Sequence, residues 1–174
     1  MLEFKRRRYH SLGQLWRDGV FILTNRRTAK QGAVSPAFRE RLMLAVTSVN
    51  RCRYCAYGHS RAALLAGVCK EEADTLLAGA VTDCPEEEIP ALLYAQHWAE
   101  TNANPDTEAR QRLVEVYGAD TARSIETVLR SIRLGNLMGN TLDYLLYRIS
   151  GGRWGLHEWG DGIQCESPKS VAPS

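Results

Sequence analysis

The chain lacks any apolar run that a membrane would accept. The longest one near the N-terminus, Gly19 to Leu23, is far shorter than a signal-peptide core or the ~20 residues of a spanning helix, although Lys5, Arg6, Arg7 and Arg8 precede it. A cytoplasmic protein with no membrane partner is therefore expected. No stretch alternates apolar with polar residues, so the half-buried β-strand has no signature here. There is no internal repeat, and no nucleic-acid motif accompanies the basic residues. An even cysteine framework is also missing. Cys52, Cys55, Cys69, Cys84 and Cys165 make five, which fits a reducing compartment better than a set of structural disulfides. Disorder is excluded by composition: 174 residues, 44% hydrophobic and 24% charged, describe one ordinary globular domain with its own core.

Charge is unevenly spread along the chain. Residues 1–41 hold ten Lys and Arg against Glu3, Asp18 and Glu40, while the remainder is acidic enough to bring the total to +2. Contact with nucleic acid is one reading of such a segment. Without a recognition motif, residues 1–34 read instead as a basic N-terminal arm, solvated or facing another subunit, whose charge meets the acidic remainder. No nucleic-acid partner is expected.

What the sequence does contain is helix punctuation. Ser35 followed by Pro36 starts a helix, and Phe38 to Val49 carries no breaker. Leu42, Met43, Leu44, Ala45 and Val46 make this helix apolar on almost every side, which predicts a central position. A second helix, opened by the cysteines, covers Ala56 to Ala66 and ends at Gly67. Cys69 to Leu77, Cys84-Pro85 through Trp98, and Asn104-Pro105-Asp106 to Gly118 read as three more. Thr121 to Ile149 is a long apolar-periodic stretch with Gly135 and Gly139 as expected bend points. The fold class is all-α, with a core domain over 35–150. A tail, 151–174, carries Trp154, His157 and Trp159 before a flexible end.

Glu40, Cys52, Cys55 and His59 put an acid, a paired thiol and an imidazole close together. A Cys-x-x-Cys pair can close a disulfide with little backbone movement, and its thiol becomes nucleophilic when a neighbour or a helix N-terminus favours the thiolate. Cys55 and His59 are four apart and share a helix face. Glu40, on a helix apolar all round, is expected to resist ionisation and to titrate above the ordinary carboxylate range.

The spacing of Glu40, Cys52, Cys55 and His59, with Arg39-Glu40 before an apolar helix and Ala63 to Gly67 after the pair, resembles the core motif of the alkylhydroperoxidase D and carboxymuconolactone decarboxylase superfamily. The resemblance covers Ser35 to about Gly79, with a weaker match over Asn136 to Leu145. It implies a single-domain helical fold and thiol peroxidase or disulfide oxidoreductase activity of an antioxidant kind; a homo-oligomer is expected because a helix set so rich in Met, Leu and Ala leaves apolar faces uncovered. Cys55 would attack a small hydroperoxide or disulfide, Cys52 would resolve, and Glu40 and His59 would relay protons. The resemblance implies no bound cofactor, only an external dithiol reductant of lipoyl or thioredoxin type. The chain departs from the best-studied redox members at Tyr54, where they have a second histidine, which implies a shorter relay. The decarboxylase branch generally lacks the cysteine pair.

Other readings stand beside this one. Cys52, Cys55 and His59 have near-zinc spacing, with Cys69, Cys84 or His97 as a fourth ligand, in a non-redox oligomer. Lactone decarboxylation by Glu40 and His59 without thiols is another. No metal is expected under the redox reading. His97 and His157 read as packed or solvated side chains, and Tyr54 and Tyr57 flank Cys55 closely enough for a hydroxyl to reach the site.

Overall fold

The computed structural model describes residues 4–29 and 34–155, and every regular element among them is a helix. The order is α1 (Leu12–Ala29), α2 (Pro36–Asn50), α3 (Arg53–Leu65), α4 (Lys70–Leu77), α5 (Ile89–Glu100), α6 (Thr107–Tyr117) and α7 (Ala119–Ile149). No described helix is long and apolar enough to cross a membrane. His157, Trp159 and Cys165 lie outside the described residues.

The start of α2 follows its sequence signals. Ser35 Oγ accepts from the Phe38 amide at 3.1 Å, satisfying one orphan donor of the first turn, and Pro36 stands where no amide is needed. Because α2 is apolar on most sides, Leu42, Leu44, Ala45 and Val46 are all fully buried, and α3, α4, α5 and α7 pack around it. It ends at Arg51, whose φ of 56° turns the chain sharply into α3. α7, at 31 residues roughly 45 Å long, is the second axis of the fold and touches α1, α2, α3, α5 and α6. Ile125, Leu129, Ile132 and Leu137 face its neighbours.

Two boundaries differ from the sequence expectation. α5 begins at Ile89 rather than at Pro85, because Glu86 to Glu88 form a turn in which Glu88 reaches back to Arg41, Nη1 to Oε2 3.2 Å. Arg41 also binds Glu72, so one half-buried guanidinium ties α4 and the turn before α5 to α2. α7 runs as one helix through Gly135 and Gly139, so the expected bends are not interruptions of it.

The N-terminal segment also gains an element without a sequence signal. α1 packs along α7 around a buried acid. Asp18 is 2% exposed, while Leu12, Trp16 and Leu23 on the same helix are exposed. Asp18 accepts from Arg130 Nη1 at 3.2 Å, from Tyr9 Oη at 2.8 Å and from Arg133 Nη1. Ahead of the helix, Tyr9 N donates to Thr141 Oγ1 and the Arg7 carbonyl accepts from Asn140 Nδ2. The segment is thus tied to α7 from both signs of charge, Asp18 against Arg130 and Arg133 and Arg6 against Asp143.

Removing one member of a buried ion pair strands the other, at a cost of about 3–5 kcal/mol. Asp18→Ala is expected to lower the urea-unfolding free energy by about that amount, with faster proteolysis inside α1. Glu108→Ala, which breaks the exposed pair with Arg112, should change it by under ~0.5 kcal/mol. Equal effects in the two variants would show that Asp18 does not anchor α1.

Candidate functional site

The site lies at the corner between α2 and α3. Cys52 is the N-cap of α3, and its Sγ accepts from the Cys55 amide at 3.4 Å. Cys55 therefore sits in the first turn, where unpaired amides and the helix dipole stabilise an anion. The two sulfurs are free and 2.8 Å apart. Cys52 is fully buried and Cys55 partly so, hence a reagent from solvent meets Cys55 first.

α7 closes the other side with glycines. A Cβ at Gly135 would stand 3.7 Å from Cys55 Sγ, an ordinary contact, but one at Gly139 would stand 2.9 Å from Cys52 Sγ and 3.2 Å from the Tyr54 ring. Both glycines are helical, so their role is space, not unusual backbone. Between them Asn136, fully buried, donates from Nδ2 to Thr47 Oγ1 at 3.1 Å, accepts from Asn50 Nδ2 at 3.2 Å, and hydrogen-bonds Cys55. Asn140 Nδ2 donates to the Asn50 carbonyl at 2.7 Å. These buried amides tie the end of α2 to α7 directly beneath the thiols.

The environment splits the two thiols. A hydrogen bond donated to Cys55, together with burial, pushes the Cys52 thiol up. Receiving that bond brings Cys55 down to about 7 despite burial, with Asn136 and the nearby His59 adding to the effect. Cys84, by contrast, is pushed up to about 12 by burial and by Glu72. Thiolate character at neutral pH thus concentrates on Cys55.

Behind Cys55, His59 Nδ1 lies 2.7 Å from Glu40 Oε2. Burial raises the Glu40 carboxyl, but the His59 hydrogen bond and charge, with Arg39, outweigh it and hold the group below its ordinary value. This corrects the expectation of a carboxyl that resists ionisation: α2 is apolar, yet Glu40 faces the imidazole of His59 and the guanidinium of Arg39. An ionised Glu40 fixes the proton on Nδ1 and leaves Nε2 as the reactive nitrogen.

The tyrosines take other partners. Tyr54 Oη donates to Asp143 Oδ1 at 2.8 Å and accepts from Arg53 Nη2, while Tyr57 Oη accepts from Arg61. Asp143 is fully buried and also binds Arg6 and Arg53, at 2.7 and 2.8 Å. The Tyr54 hydroxyl is thus engaged by a carboxylate on α7. Among the described residues, no group of three His, Cys, Asp or Glu is placed to hold a metal. Cys69 caps α4 in solvent, Cys84 lies by Arg41 and Glu72, and His97 pairs with Asp106 at 2.9 Å.

All four residues singled out by spacing converge here. Gly135, Asn136, Gly139 and Asp143 join them unmarked by spacing, and two glycines four apart in a long apolar helix signal close approach here rather than the expected bends. Residues 19–101 match the family model described as the carboxymuconolactone decarboxylase family. That span contains Glu40, Cys52, Cys55 and His59 but stops short of α7. No curated protein and no solved structure matches the chain.

Gly139→Ala should cost about 1–3 kcal/mol in urea unfolding of the reduced protein, since a sulfur and a ring must shift. Gly135→Ala should instead stabilise by about 0.5–1 kcal/mol, because its added methyl meets only an ordinary contact while helix propensity improves. Destabilisation of the same size at both positions would show that neither is set by the thiols.

Since the Cys55 pKa is depressed, its thiolate persists above about 7 and is lost on acidification through that value. Iodoacetamide labelling of Cys55 should rise with a midpoint near there, with Cys52 silent in the same range. Glu40→Gln removes the anion behind His59 and should move the midpoint upward; an unmoved midpoint would take Glu40 out of the site's electrostatics.

Proposed function

From the match of residues 19–101 to the carboxymuconolactone decarboxylase family model, we propose that this protein is a thiol-dependent peroxidase or disulfide oxidoreductase working through Cys55 and Cys52. The observation that carries the reading is the pairing of an acidified, partly exposed Cys55 with a buried Cys52 whose sulfur is 2.8 Å away. The family takes in peroxidases as well as decarboxylases. Decarboxylation through Glu40 and His59 alone would leave that thiol pair unused.

The proposed cycle runs as follows. The Cys55 proton passes to His59, whose imidazolium Glu40 stabilises. The thiolate attacks the distal oxygen of a hydroperoxide; the S–O bond forms as the O–O bond breaks, and the departing alkoxide takes the proton from His59 as an alcohol. Cys55, now a sulfenic acid, is attacked by the Cys52 sulfur, closing the disulfide and releasing water. An external dithiol, of lipoyl or thioredoxin type, returns two electrons by exchange through the exposed sulfur of Cys55. Glu40 acts through His59, so it is a positioning residue. Copies of the chain would assemble through apolar side chains left in solvent, Met138, Leu142, Leu145 and Ile149 on α7 among them.

A stoichiometric pulse of peroxide should remove two thiols per chain from the reduced protein. Cys55→Ser should lose peroxide consumption, while Cys52→Ser should leave a sulfenic acid on Cys55 that dimedone traps. An unchanged thiol titre, with zinc bound one per chain in the same sample, would replace the redox reading by a structural metal.

A further inference from the structure

Away from the thiols, a cavity of about 320 Å³ opens between α1, the turn after α5 and the middle of α7. Arg17, Arg130 and Arg133 line it, with Gln14 and Asn102, against a single lining carboxylate, Asp18. Asp18 is already shared: Oδ1 accepts from Arg130, and Oδ2 from Arg133 and Tyr9. One negative charge across two guanidiniums leaves a positive charge uncompensated, and Arg17, exposed on α1, adds a second. In a half-enclosed cleft such charge focuses the field on whatever enters.

Two further observations point to a ligand. Arg130 keeps a buried Nε–H with no acceptor among the described residues, although a buried donor is normally satisfied. The turn that forms the opposite wall is held in an unfavourable shape. Asn102 and Ala103 both adopt left-handed backbone, φ 58° and 65°, and Ala103 has no side-chain hydrogen bond to favour it. That turn places Asn102 Oδ1 2.9 Å from Arg133 Nη2, fixing the guanidinium from the side away from Asp18. Arg133 is thus preset rather than free to follow a ligand, while Arg17 at the rim stays exposed.

We propose that this cavity binds a small molecule through an oxyanion group, a carboxylate or a phosphate. Guanidinium groups pair with both oxyanions in a planar, two-pronged geometry, and the volume is at the lower end of small-molecule sites, ~300 Å³ and up. The amides of Gln14 and Asn102 supply donors and acceptors for hydroxyls on the same molecule. None of Glu40, Cys52, Cys55 or His59 lines it, so the site stands independently of the thiol chemistry.

The test is isothermal titration of the full-length protein with inorganic phosphate and, separately, with succinate in low-chloride buffer. Saturable binding of one ion per chain, with Kd in the range of ~0.1–1 mM, is expected for at least one of them. Arg17→Gln should weaken it about tenfold, and Arg17→Glu should abolish it, with the melting profile unchanged. Arg112→Gln, on the exposed face of α6, should leave it as in the parent. A response to phosphate alone or to succinate alone upholds the site and names its oxyanion. No saturable heat with either, or equal affinity in the parent and both Arg17 variants, would mean an adventitious ion only and overturn the proposal.

Discussion

One absent side chain on α7, at Gly139, sets the distance on which the rest of the site depends. With hydrogen in place of methyl at Gly139, α7 comes close enough that a Cβ there would overlap Cys52 Sγ. At that separation Asn136 reaches Cys55 and is itself held by Thr47 and Asn50. Move α7 outward by a methyl radius and Cys52 gains room to rotate away from Cys55, Asn136 loses its grip on the end of α2, and the hydrogen bond that splits the thiols weakens. The acid–base character of Cys55 is in this sense a packing property.

Polarity is distributed around that contact with some economy. Cys55 is the helix-start sulfur, the acceptor of the Cys52 hydrogen bond and the neighbour of His59, so three effects of the same sign oppose one desolvation penalty. Glu40 shows the same balance: it is buried on the central helix α2, yet His59 and Arg39 decide its charge state. Burial alone is a poor guide to ionisation wherever a cation can reach the group.

Much of this was legible in the sequence, for reasons that can be named. Ser35-Pro36 is a local signal, read from two residues, and it marks the true start of α2. The spacing of Glu40, Cys52, Cys55 and His59 likewise depends on one helix, one sharp turn and the next helix turn, all close in sequence. α1 was not legible, because the residue it buries most fully is Asp18 while Leu12, Trp16 and Leu23 stand exposed, so no clean apolar stripe marks it. Its partners Arg130 and Arg133 are more than a hundred residues away. The glycines of α7 failed for the same reason: the sulfur that requires Gly139 lies on another helix. Tyr54 follows suit, since only the fold reveals that Asp143 engages its hydroxyl.

Asp143 has a temporal consequence as well. It joins residue 6 to residues 53 and 54, and Arg6 in turn donates to the carbonyl of Gly155, 149 positions along the chain. Contacts of such separation close large loops, whose entropy is lost before the contact gives anything back, whereas helix turns and the α2–α3 corner close early. During synthesis the chain emerges from the N-terminal end, so Cys52 and Cys55 are made long before the helix that confines them. The pair spends its first moments as two ordinary thiols, and its inequality arrives only with the last third of the chain.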